Sequence, residues 1–187
     1  MMYLETTTLT PDERAVRGAE IVREHLAHTQ EDDTPAVRAR RGWAIAQHHR
    51  PQAYRWMPVP CAMWQELITQ AVTDVLHLAD GWHDPETVLS RAFGIHWAQT
   101  LPERWSDAVH SGQGPSATAR RPRALGPDTD PRDRDALAGA VANLYAAAAD
   151  QYDGTAEELA DQAETIFWGE VHAARIRAVR ETRSVHH

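Results

Sequence analysis

The chain contains no lysine; all nineteen of its basic residues are arginine. A P-loop, a protein-kinase site and a Schiff-base enzyme each need a lysine amine, so none of these is open to it. Cysteine is almost as scarce. The single Cys61 excludes an intrachain disulfide, a Cys-rich zinc motif and a CxxC redox pair. It sits behind Pro60 at an expected helix start, where a small buried residue is its simplest role.

Long apolar runs are missing as well. The most apolar window, LAGAVANLYAAAA, is broken by Asn143 and too short to span a bilayer. The opening MMYLETTTLTPDERAV has neither a basic start nor a continuous apolar run, so no secretory signal is read there. The expectation is a cytoplasmic protein without membrane contact. Sustained alternation of β-branched and polar residues is absent too, which predicts no significant sheet.

What is present is ordinary for a folded protein: 187 residues, 42% hydrophobic, 25% charged, enough for one domain. Seven of thirteen aromatics are tryptophan, so a few large anchors are expected in the core. Formal net charge is -8, which disfavours non-specific adhesion to polyanions. The Ala, Arg and Asp bias has the flavour of a GC-rich bacterial or phage genome.

Helix starts are written plainly. Thr10-Pro11-Asp12-Glu13 combines a capping hydroxyl, proline at the first helical position and a glutamate three after the cap. Thr34-Pro35, Asp84-Pro85-Glu86, Asp130-Pro131 and Thr155-Ala156-Glu157-Glu158 repeat the pattern. The prediction is an all-α, compact bundle of five to seven helices. A third helix, about 60 to 79, carries Trp64, Leu67, Ile68, Ala71, Val75 and Leu78 on one stripe and is expected to be central. A helix over about 131 to 152 sets Leu137, Val141, Leu144, Ala148 and Tyr152 on one side and Gly139, Ala142 and Ala146 on the other. The last helix, about 156 to 183, is apolar on two sides. Leu159, Ala163, Phe167, Val171 and Ala174 stand against Trp168, Ile176 and Val179, so the helix is either sandwiched within the bundle, the expected arrangement, or shared with a partner. Residues 111 to 130, rich in Gly, Pro, Ser and Arg, read as a loop between an N-terminal part (1 to 110) and a C-terminal helical hairpin (131 to 187) packed back on it.

Several clusters invite chemistry. On the first helix Glu20, Glu24, His25 and His28 resemble a bundle metal set. There Ala15, Ala19, Val22 and Leu26 define the inward face, and the glutamates fall opposite, as a solvated face does. His77, Asp80 and His83 are weak metal candidates close in sequence. His77 and Asp80 are placed with Glu66, Gln70 and Thr73 on a polar face, while Asp80-Gly81 and Asp84 already serve as helix stop and cap. Glu170, on the apolar side of the last helix, calls for a buried ion pair, with Arg177 as its expected partner. The stretch 89 to 101, LSRAFGIHWAQTL, has the rhythm of a helix-turn-helix about Gly94, but Pro102 shortens its second helix and acids flank it, so a simple αα-corner closed by Gly94 as a C-cap is expected.

The segment 38 to 56, RARRGWAIAQHHRPQAYRW, is the sequence's oddest, with five arginines and no carboxylate from residue 34 to 65. Arg38, Arg40, His49 and Arg50 are expected toward solvent. With Arg41, Trp43, Tyr54, Arg55 and Trp56 they form a candidate surface for a partner or an anion. Counter-charge for the protein's own acidic faces, an acidic protein partner, and single-stranded nucleic acid all suit such a surface. The functional expectation is a non-catalytic protein acting by macromolecular interaction, through a protein partner or self-association. A nucleic-acid-binding regulator and a metal-dependent enzyme using His, Asp and Glu are the alternatives. No cofactor is predicted. Apolar stripes along helices, not a cluster of reactive groups, are expected to organise the interior.

Overall fold

The computed structural model describes residues 9–28, 34–48, 61–100, 125–152 and 155–184, which form an all-α bundle. Its helices are α1 (Pro11–His28), α2 (Pro35–His48), α3 (Cys61–Ala79), α4 (Pro85–Thr100), α5 (Arg134–Tyr152) and α6 (Ala156–Ser184), with no strand among the described residues.

The starts follow from local chemistry. Glu13 accepts from both the amide and the hydroxyl of Thr10, at 2.8 and 2.9 Å, and the Thr10 hydroxyl accepts from the Glu13 amide at 3.3 Å. This is a reciprocal capping box. Thr34, Asp84 and Thr155 each accept from the amide three residues on. The fifth start differs from expectation. Asp130 accepts from the Arg132 amide and closes a turn, while Asp133 accepts from the amides of Asp135 and Ala136, so α5 begins at Arg134. α3 stops where expected, because Gly81 takes φ +80°, a left-handed conformation that costs glycine little.

Two further corrections follow from packing. α4 runs unbroken through Gly94, so residues 89–100 are one helix and hold no helix-turn-helix. α5 shares the central position with α3. Residues 136–148 of α5 are buried on every side, as are 71–79 of α3. An alanine-rich helix of low amphipathicity fits a site with neighbours all round. α5 packs chiefly on α2 and α4, α1 on α3, and α6 on α3. Burying each large core side chain contributes roughly 1.5–3 kcal/mol.

Three glycines let helices cross closely. A Cβ on Gly18 of α1 would overlap the carbonyl oxygen of Asp74 on α3. One on Gly42 of α2 would overlap the carbonyl oxygen of Asn143 on α5 and lie 3.0 Å from the Ala147 Cβ. One on Gly139 of α5 would lie 2.6 Å from His25 Nε2 on α1. Residues 111–124 of the expected loop lie outside the described residues. At its end Leu125 packs on the core, and Gly126 and Thr129 close a turn.

Candidate functional site

Five ionisable side chains meet where α1, α3 and α6 converge. Arg14 lies between two carboxylates. Its Nη1 donates to Asp74 Oδ1 at 2.7 Å and its Nη2 to Glu170 Oε1 at 2.8 Å, with Nε 2.7 Å from Glu170 Oε2. A planar guanidinium fork matches this arrangement in a way an ammonium would not. Arg17, one turn along α1, sets its Nε 3.1 Å from Asp74 Oδ2. His77, one turn beyond Asp74 on α3, places Nε2 2.8 Å from Glu170 Oε2, and its ring tilts against Phe167. Asp74 is fully buried, Arg14 and His77 nearly so, and Glu170 and Arg17 reach the edge of the cluster.

Burial sets the protonation of the cluster. It pushes the Asp74 carboxyl up to about 6, against the pull of Arg17 and Arg14. Burial likewise holds the His77 imidazole below its ordinary value, despite the hydrogen bond to Glu170. A neutral His77 donates from Nε2 to the Glu170 carboxylate. At neutral pH two arginines then face two carboxylates and the charges cancel, the condition under which buried charges are tolerable.

These shifts have opposite consequences for stability. The raised pKa of Asp74 contributes stability that is full below pH 3.8 and lost as pH rises through about 6. His77 contributes stability that is full above pH 6.5 and lost as pH falls through its lowered pKa. Asp74→Asn isolates the first effect. In denaturant titrations the wild type's advantage over this variant should be larger at about pH 4.5 than at about pH 7. An advantage that is constant, or larger at neutral pH, would show that Asp74 is not held protonated by burial.

A second polar group lies between α1, α2 and α5. Arg38 Nη1 donates to Asn143 Oδ1 at 3.4 Å, and Asn143 Nδ2 stands 2.9 Å from His25 Nδ1. An arginine can only donate, which fixes the amide orientation, so Nδ1 of His25 accepts. Arg41 Nη2 donates to the His28 carbonyl at the end of α1.

The expected site residues are distributed accordingly. Arg38 and Arg41 are buried, which corrects the solvent-facing reading of Arg38, because α2 turns both inward, one toward Asn143 and the other toward the His28 carbonyl. Arg40 is exposed, and its Nε donates to the Ala36 carbonyl. Trp43 packs edge-on against Trp64. His49, Arg50, Tyr54, Arg55 and Trp56 lie outside the described residues. One acidic side chain does reach α2, since Glu24 Oε2 stands 3.3 Å from His48 Nδ1.

Glu170 is paired as anticipated, but with Arg14 and His77; Arg177 is exposed. The expected polar face of α3 is also corrected. Thr73 and His77 are buried with Thr69 and Asp74, because α6 and α1 cover that side. The weak metal candidates do not meet. His77 turns to Glu170, Asp80 is exposed, and His83 Nε2 pairs with the Arg132 carbonyl at 2.9 Å. Among the described residues no group of three His, Cys, Asp or Glu side chains is placed to hold a metal.

On α6 the two apolar sides part company. Leu159, Ala163, Phe167 and Val171 are buried, whereas Trp168, Ile176 and Val179 are 45%, 40% and 52% exposed. The second side is therefore not sandwiched in the bundle as expected. No described helix is long and apolar enough to cross a membrane. No family model, curated protein or solved structure matches the chain.

Proposed function

We propose that the chain acts by macromolecular interaction, and that the outward side of α6 is its contact surface. The observation that carries this reading is the split character of one helix. One stripe of α6 completes the core, and a second presents a tryptophan, an isoleucine and a valine outward. Leaving three large apolar groups on one helical side costs solvation, and such patches mark binding surfaces. The interior departs from expectation, because five ionisable groups converge among the apolar stripes; their charges pair with one another, though Arg14 Nε and Asp74 Oδ2 make no hydrogen bond. Among the basic and aromatic residues of α2, Arg38 and Arg41 are buried and Trp43 packs on Trp64, while Arg40 is exposed, so α6 offers the larger described apolar surface.

A photo-crosslinking side chain installed at Ile176 or Val179, in cells of the source organism, tests this reading against one at Val16. Val16 is more exposed than either (61%) but lies on α1. Adducts are expected from 176 and 179 and not from 16. Equal yields at all three positions, or none at any, would count against the reading.

A further inference from the structure

We infer that the occupant of the outward side of α6 is a second copy of this chain, with the two α6 helices crossing antiparallel near Trp168. This inference rests on the proposed role of α6 in binding and names the partner. The argument is one of charge. Glu157, Glu158, Asp161 and Glu164 fill the first half of α6, and Arg175, Arg177 and Arg180 fill the second, followed by Glu181. A parallel pair would set like charges side by side; an antiparallel pair sets each acidic half against a basic one.

Helical spacing adds a register. At 100° per residue, Asp161, Glu164, Trp168, His172, Arg175 and Val179 fall on one side of α6. Asp161 and Arg175 lie two turns to either side of Trp168, and Glu164 and His172 lie about one turn to either side. A crossing at Trp168 brings positions equidistant from it together. Asp161 of each copy then meets Arg175 of the other, Glu164 meets His172, and the two indoles meet at the twofold axis. Such an interface is self-complementary, as twofold symmetry requires.

The indole is already held for this role. Trp168 Nε1 donates to Glu164 Oε1 at 3.2 Å, and its ring sits edge-on to the buried Phe167 at 5.0 Å. A half-fixed tryptophan at the centre of a patch loses little freedom on docking and makes an effective anchor.

Sedimentation velocity of the full chain tests the inference, with circular dichroism confirming that each variant is folded. Asp161 and Arg175 are both exposed, so their substitution leaves the core intact. The wild type should sediment at twice its 21.0 kDa chain mass at high micromolar concentration, more weakly as salt is raised. Asp161→Arg puts like charges together twice per dimer and should raise the dissociation constant by roughly tenfold or more. Asp161→Arg with Arg175→Asp restores opposite charges across the antiparallel crossing and should recover most of that loss.

A chain that is monomeric at every concentration overturns the inference, as does a dimer indifferent to Asp161→Arg or one the double reversal fails to restore. A monomer whose residue 176 or 179 still crosslinks to another macromolecule overturns self-pairing alone and leaves the interaction reading standing.

Discussion

Asp74→Ala is expected to lower unfolding free energy by about 3–5 kcal/mol. Asp74 is fully buried, and its two oxygens face Arg14 at 2.7 Å and Arg17 at 3.1 Å. Removing it strands Arg14 against Glu170 alone and leaves a cation in the interior with one carboxylate fewer. The cost comes from the abandoned partner more than from the hydrogen bond itself. That distinction can be measured. Arg14→Met in an Asp74→Leu background should cost less than the two single changes summed, because Arg14 and Asp74 are then removed together and only Glu170 and Arg17 each lose a partner. Urea titrations of the four proteins give the coupling. Additive losses would mean that Arg14 and Asp74 do not neutralise one another.

Glycine to alanine substitutions should change sign with position. In an open helix interior the change stabilises by roughly 0.5–1 kcal/mol. Gly94 of α4 meets nothing within 4 Å of its would-be Cβ, so Gly94→Ala should stabilise by about that amount. Gly18→Ala and Gly42→Ala should each destabilise by about 1–3 kcal/mol. Their Cβ atoms would run into the carbonyl groups of Asp74 and Asn143, which are backbone and cannot swing aside. Thermal melts of the three variants check this. A stabilising Gly42→Ala would mean that α2 and α5 do not cross as closely as described.

The helix boundaries and their caps are legible in the sequence because each depends on a few neighbouring residues. Thr10 with Glu13, Asp84 with Thr87, and Gly81 at a positive φ are local events. The α5 start falls three residues later than its proline suggests, because Asp130 and Asp133 both look like caps and only the turn between them decides. The ionic cluster is half visible. Glu170 on an apolar side signals a buried partner, but the partner lies on α1, far away in sequence. Arg14 and Asp74 escape notice because helical periodicity ranks apolar residues and places a charged one outside by default.

The glycines carry a further signal. Gly18 and Gly42 interrupt otherwise good helices at a cost of roughly 1 kcal/mol each, and each marks a crossing beside a buried polar residue, Asp74 or Asn143. Arg38 and Arg41 look like surface on composition alone, yet Gly42 brings α2 close enough to α5 to cover them.

Native mass spectrometry of the protein, taken gently from its own cells beside an Ile176→Glu, Val179→Glu variant, tests the central claim most directly. The account predicts that the wild type carries mass beyond its own 21.0 kDa chain. The variant should lose that mass while melting at the same temperature. Equal bound mass on both proteins, or none on either, would contradict it.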